Sequence, residues 1–311
     1  MLNNIGGNMN NALRIIVIIV GIFVGICFLV VGIGLFAVAG AITTSDDEDS
    51  QSITGARVAL VEIKDAIVSS EDIVKQLKKY QKNKNVKSIV VRVESPGGSV
   101  APSQEIYEAI KSVRDSGKPI VVSMGSIAAS GGYYVSIGAN KIFANPGTLT
   151  GSIGVIMQYP NVMGLMDKIG VNMTTVKSGG LKDAGSPYRK SSDDDKKYFQ
   201  NLIEDAYDQF VDAVALERKM EVGELKKLAD GRVFTGLQAY EYGLVDSLGG
   251  YEDAIMYAAF LGGIDGEPKT VKEKKKQTVI EILGSSISDN PINRAYDMFN
   301  SPNLQYKLSF D

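Results

Sequence analysis

The chain opens on one long apolar block and then alternates short apolar runs with amphipathic stretches. No charged residue occurs from Ile15 to Thr44. About 20 apolar residues, at 1.5 Å each, cross a bilayer. Residues 15–42 are therefore expected to form a transmembrane anchor behind a short N-terminus, residues 1–14. Arg14 precedes the block, and Asp46, Asp47, Glu48 and Asp49 follow it. That asymmetry places the N-terminus in the cytoplasm and the body outside. Ala37-Val38-Ala39 resembles a leader cleavage site, but the apolar run before it is longer than a secretory h-region of about 7–15 residues. A retained single-pass anchor is the expectation, with residues 43–54 as a polar, acidic linker.

Beyond the linker, Val58–Ile63, Ser88–Val93, Ile120–Met124, Ile142–Ala144 and Ile153–Met157 read as strands. Helical spacing lies between them: Ile73 and Leu77, then Ile106, Ile110 and Val113, then Phe199, Leu202, Ala206, Phe210 and Val214. Ser192 and Asp195 have the spacing of a capping box at the start of the last of these. Alternating strands and helices predict an α/β fold over residues 55–265. Residues 266–311 turn charged and then rich in Ser, Asn and Asp, and are expected to be a flexible or peripheral tail whose spaced apolar residues could dock on a partner.

Composition narrows the chemistry. The 311 residues include no histidine, no tryptophan and one cysteine, Cys27, which lies inside the apolar block. A Ser-His-Asp triad and a Cys-His dyad are excluded, because no imidazole exists. Metal sites built on His or Cys lose their ligands, and the body has no cysteine for a disulfide. A net charge of −3 gives no electrostatic case for a nucleic-acid partner. Acid–base work would fall to Lys, Asp, Glu or Tyr.

Three stretches could carry chemistry. Gly125–Gly154 is dense in small residues and places Ser130 before Gly131-Gly132 at a strand-to-helix turn. A serine there can act as a nucleophile with backbone amides beside it. Taken alone, an ordinary helix-capping serine explains the same pattern better. Ser95-Pro96-Gly97-Gly98-Ser99 could bring amides to a ligand carbonyl, although a simple turn is the plainer reading. Lys177 and Lys182 lie in a glycine-rich segment. A neutral lysine can deprotonate serine, but with a reference pKa of about 10.4 it needs strong desolvation to do so near pH 7–8. Most single lysines are solvated surface charges, and Asp193-Asp194-Asp195 reads as helix N-terminal charge rather than a metal site.

In combination these stretches resemble the signal peptide peptidase A family of membrane-bound serine peptidases. The matching motifs are VRVESPGGSV at 91–100, SMGSIAASGGYYVSIGANKIFANPGTLTGSIGVI at 123–156, KSGGLKDAGSPYR at 177–189 and DGRVFTGLQAYEYGLVDSLGG at 230–250. The resemblance implies a Clp-protease/crotonase-like fold of ββα units behind the anchor. It implies Ser130 as nucleophile, Lys182 rather than Lys177 as general base, and Ser152 as the hydroxyl that positions the lysine. It also implies an oxyanion hole from Gly131 with Gly97 or Gly98, the choice between these two staying open. It implies no cofactor or metal, signal peptides as substrates, and ring-shaped homo-oligomers with sites near subunit contacts. The alternatives are a crotonase-like acyl-thioester enzyme and a non-catalytic membrane scaffold.

Overall fold

The structure, a computed structural model, describes Ile18, Gly21, Ile22, Gly25, Leu29, residues 55–273 and Gln305–Lys307. Those five early residues have helical backbone. Among the described residues no helix is long and apolar enough to cross a membrane. Most of the expected anchor, 15–42, lies outside the described residues, as do 1–14 and 43–54. The chain divides into two units, Met1–Ile53 and Thr54–Asp311, and the second carries the fold described below.

Its strands are β1 Arg57–Lys64, β2 Val86–Ser95, β3 Gly97–Ser99, β4 Ile120–Ala129, β5 Lys141–Ala144, β6 Leu149–Gly151, β7 Val233–Thr235, β8 Ser247–Leu248, β9 Thr270–Lys272 and β10 Gln305–Lys307. Its helices are α1 Glu71–Lys82, α2 Val100–Asp115, α3 Gly131–Ser136, α4 Met163–Ile169, α5 Asp193–Arg218, α6 Val222–Lys226, α7 Gly236–Glu241 and α8 Tyr251–Leu261. The main sheet runs β7-β6-β4-β2-β1-β9, with β5 joined to β4 and β8 to β5. All pairings are parallel except β6 with β7.

The central strands are buried on both faces, which is why they read as continuous apolar runs rather than alternating ones. Val58, Val90 and Val121 point to one face, where Ala254, Ile255, Ala258 and Ala259 of α8 pack on them. Ile89, Val91, Ile120 and Val122, fully buried, take the opposite face by strand alternation. Ile106, Ile110 and Val113 form the buried stripe of α2 at helical spacing. Ile89→Ala is expected to cost roughly 2–5 kcal/mol, because it leaves a cavity between packed layers. Urea unfolding checks this against Leu216→Ala, an exposed position on α5, where the midpoint is expected to stay nearly unchanged.

Two segments differ from the sequence expectation. The strand expected at Ile153–Met157 is displaced to Leu149–Gly151. Gly151 and Ser152 both have positive φ, +77° and +51°, and these consecutive left-handed residues turn the chain out of the sheet. The tail is also more integrated than expected: Thr270–Lys272 adds an edge strand beside β1, and Gln305–Lys307 pairs with β3. Residues 274–304 lie outside the described residues.

Candidate active site

Ser130 sits where β4 ends and α3 begins, with φ +52° and ψ −113°. A non-glycine residue held there stores about 1–3 kcal/mol of strain, so the surroundings must enforce it. They do so from several sides. The Ser130 N–H donates to the Gly151 carbonyl at 2.8 Å, and its own carbonyl accepts from the Tyr134 N–H at 2.8 Å. Upstream, β4 bulges: Val93 pairs with Met124, but Ser95 pairs with Ala128. The Glu94 carboxylate fills that gap, accepting the N–H groups of Ser126 at 2.9 Å and Ile127 at 3.2 Å. Side chains at the next two positions would clash. A Cβ on Gly131 would lie 2.7 Å from the Ser103 hydroxyl, and one on Gly132 2.7 Å from the Ser95 carbonyl.

Although Ser130 occupies a helix N-cap position, its side chain makes no capping bond. Its hydroxyl is buried and has no hydrogen-bond partner among the described residues. The capping explanation of the motif therefore fails. What remains is a strained, buried, unengaged hydroxyl.

Gly97 and Gly98 lie against Gly131, the residue after Ser130. Gly97 has φ +102°, and its N–H is used internally, donating to the Ser95 hydroxyl at 3.1 Å. Ile67 donates its N–H to the Gly97 carbonyl at 2.8 Å and accepts from the Ser99 N–H at 2.7 Å. Ladder alternation then turns the N–H and carbonyl of Gly98 the other way. On that side lies β10, antiparallel, with Tyr306 opposite Gly98. Gln305 exchanges both backbone bonds with Ile156, each 3.1 Å, so the tail strand is clasped between β3 and Ile156. A Cβ on Gly97 would overlap the Tyr306 carbonyl and lie 2.7 Å from the Gly131 nitrogen. A Cβ on Gly131 would lie 3.1 Å from the Gly98 nitrogen. The Tyr306 carbonyl and the amides of Gly98 and Gly131 thus converge beside Ser130.

The Tyr306 side chain is fully buried. Its ring stacks on Tyr134, with centroids 5.2 Å apart, and meets Phe210 at 4.6 Å. Its hydroxyl donates to the Ala206 carbonyl at 3.0 Å. Burial raises the Tyr306 phenol above the usual range and pushes Tyr134 up to about 12, so both stay neutral at ordinary pH. Along α5, a cleft of about 580 Å³ adjoins Ser152, Ile153 and Ile156, with Ile203 and Tyr207 on its other wall. Ser152 is nearly buried, and its N–H donates to the Arg232 carbonyl at 2.8 Å.

The structure thus brings together Ser130, Ser152, Gly97, Gly98 and Gly131. It does not bring Lys182 to them. Lys182 lies on an exposed single turn of 3-10 helix, Gly180–Asp183, and no hydrogen bond or ion pair joins it to Ser130 or Ser152 among the described residues. Lys177 is engaged: its amine donates to the Gly180 carbonyl at 2.8 Å and to Asp183 at 2.6 Å. Arg189 and then Lys177 hold the Asp183 carboxyl down at about 2, and Arg189, followed by the Ser192 backbone, depresses Asp195. The surrounding segment exposes Leu165, Ile169, Met173, Val176 and Leu181, an unusual apolar surface for a chain on its own.

Sequence reasoning missed Glu94, Ile156, Tyr306 and Arg189. Tyr306 had a faint signal, an aromatic residue in a polar tail; the others had none without the fold. Among the described residues, no group of three or more His, Cys, Asp or Glu side chains is placed to hold a metal ion.

A parallel α/β sheet carrying a strained serine beside converging backbone amides defines a hydrolase of the acyl-transfer type. The Clp protease profile matches residues 49–149, and the profile of Peptidase family S49 matches residues 112–264. A putative protease of Synechocystis sp. is 44% identical over 214 residues, 68% of this chain and 76% of that protein. A putative signal peptide peptidase SppA of Enterococcus faecium is 46% identical over 185 residues, 60% of this chain but 54% of that protein. Protease 4 of Salmonella typhi is 40% identical over 217 residues, 67% of this chain and 35% of its own length. A ClpP1 mutant from Listeria monocytogenes is 19% identical with a TM-score of 0.44, covering 63% of this chain and 94% of that one. The chain belongs to peptidase family S49, the signal peptide peptidase A family, and is a serine peptidase.

Proposed function

We propose that the chain is a membrane-anchored endopeptidase that degrades signal peptides left in the bilayer, using Ser130 as nucleophile and Lys182 as general base. The neutral Lys182 amine takes the Ser130 proton, and the oxygen attacks the substrate carbonyl. The amides of Gly98 and Gly131 hold the oxyanion; Gly97 is the lesser candidate, because Ser95 already occupies its N–H. Lys182 then protonates the leaving amine, and water hydrolyses the acyl-enzyme. Ser152 steadies the amine from beside Ser130.

One observation carries the reading. Residues Gln305–Lys307 lie in the groove as a peptide substrate would, added as a strand between β3 and Ile156, with the Tyr306 carbonyl at the converging amides. The peptide bond after Tyr306 is the one presented to Ser130, and the Tyr134–Phe210 pocket selects an aromatic or large apolar residue before it. Membrane residence rests on the uncharged run 15–44 and its flanking charges, which put the catalytic unit on the extracytoplasmic side. The substrate class rests on that location, on the apolar pocket and on likeness to the Enterococcus relative, a putative signal peptide peptidase. A homo-oligomeric ring is supported by the exposed apolar side chains around Lys182, which a second copy would cover while delivering the lysine.

The test compares the full chain with one ending before Gln305. The substrates are a soluble peptide with tyrosine before the scissile bond and a signal peptide in lipid vesicles. An intramolecular competitor acts at an effective concentration on the order of millimolar. The shorter chain is therefore expected to show a KM lower by about tenfold or more at unchanged kcat. Equal KM values would show that the tail does not compete for the groove, and intact signal peptide in the vesicles would reject the substrate class.

A further inference from the structure

The turn that carries Lys182 cannot hold itself in place. It is a four-residue 3-10 segment that buries none of its side chains, and helices this short gain little from their own hydrogen bonds. Its placement must come from contacts made by its neighbours, and one side chain makes most of them. Arg189 donates from Nε to Asp183 Oδ2 at 3.0 Å and from Nη2 to Asp183 Oδ1 at 2.8 Å. The same Nη2 reaches the Asp183 backbone carbonyl at 3.0 Å. The other side of the guanidinium grips Asp195, from Nη1 to Oδ2 at 2.5 Å and from Nη2 to Oδ1 at 3.0 Å.

Asp195 is a firm anchor. It is 1% exposed and belongs to the capping box of α5: Ser192 donates its N–H to the Asp195 carboxylate at 2.9 Å and accepts the Asp195 N–H at 3.1 Å. That 26-residue helix is fixed by the buried side chains of Ala206, Phe210, Val211 and Val214. The linkage runs from a rigid helix through Asp195, Arg189 and Asp183 to the residue next to Lys182. Lys177 braces the turn as well, at the Gly180 carbonyl and at the same Asp183 Oδ1.

We infer that Arg189 is a positioning residue for the general base, clamping Asp183 to the N-terminus of α5 so that the Lys182 amine is presented at a fixed place. The inference rests on the reading of Lys182 as the base. Two chemical points favour arginine for the task. Its planar fork offers several fixed donors to each of two carboxylates at once, a geometry that the compact lysine ammonium does not match. It also stays charged under the alkaline conditions in which a lysine amine becomes neutral, so the clamp persists when the base is competent.

The test measures peptide turnover and the acylation rate of Ser130 by a fluorophosphonate probe, in the full chain. Arg189→Met is made alone and together with Lys182→Ala, and Arg189→Lys and Asp183→Asn are made as milder variants. The expected result for Arg189→Met is a kcat lower by about 10-fold or more, with KM within about threefold. Arg189→Lys and Asp183→Asn are expected to fall between it and the wild type. In the Lys182→Ala background, Arg189→Met is expected to change the residual rate less than about twofold, because a residue acting through the lysine has nothing left to position. Equal losses in both backgrounds would reduce Arg189 to a structural role and overturn the inference. An unchanged kcat for Arg189→Met, with Lys182→Ala inactive, would overturn the inference alone. An active Lys182→Ala would instead overturn the assignment of the base.

Discussion

Ser130→Ala is expected to lower peptide turnover by at least about 10⁴-fold while leaving the fold at least as stable as the wild type. The two halves of this expectation have separate causes. Activity is lost because Ser130 carries the unengaged hydroxyl next to Gly131, whereas the neighbouring Ser103 hydroxyl is already committed, donating to the Ser99 carbonyl at 2.8 Å. Stability is kept because the Ser130 hydroxyl is buried and has no hydrogen-bond partner among the described residues. Removing an unsatisfied buried hydroxyl relieves a desolvation cost instead of breaking a bond. Alanine inherits the strained backbone at φ +52°, so that cost is common to both proteins. A thermal melt of the inactive variant should therefore lie at or above the wild-type midpoint, the pattern of a site that trades stability for function. A melt several degrees lower would mean that the hydroxyl has a structural partner, and retained turnover would mean that another residue is the nucleophile.

The parts of the molecule legible in the sequence are those fixed by local pattern. The central strands β1, β2 and β4 contain the expected apolar runs because they are buried on both faces, and the Ser192–Asp195 capping box of α5 forms as its spacing requires. Ser130 and its glycines were legible because their backbone geometry admits few residues: a Cβ at Gly131 or Gly132 has no room. Contacts made across long sequence separations were not legible. Glu94 meets Ser126 and Ile127 only after β2 and β4 are paired with a bulge. Tyr306 finds Ala206 and Phe210 a hundred or so residues away. The Ile153–Met157 run has strand composition, yet two left-handed residues before it remove it from the sheet and leave Ile156 free to clasp another strand. The preference for Gly98 over Gly97 in the proposed oxyanion hole was not available from two adjacent glycines; it rests on the Gly97 N–H already donating to the Ser95 hydroxyl.

Lys182→Ala is expected to lower turnover by about 10⁴-fold, and the separation of Lys182 from Ser130 turns this into a sharper expectation about assembly. Within one chain the nucleophile lies buried in the body, whereas the lysine stands on an exposed turn fastened to α5. A turn clamped in that way does not swing freely. The apolar side chains around it, Val176 above all at 95% exposure, are uncovered among the described residues. A second copy that covers them would receive the lysine at its own serine. Two inactive proteins, Ser130→Ala and Lys182→Ala, are then expected to recover activity when their subunits are allowed to exchange. Each working site needs an intact serine from one chain and an intact lysine from its neighbour, so an equal mixture that exchanges fully should reach about a quarter of the wild-type rate. The measurement is turnover against time of mixing, with mass spectrometry of differently tagged chains to establish exchange. Mixed oligomers that stay inactive would place both groups of the dyad in one chain, and the arm carrying Lys182 would then have to move to reach Ser130. Recovery would show that neither chain holds a complete site, making assembly a condition of catalysis.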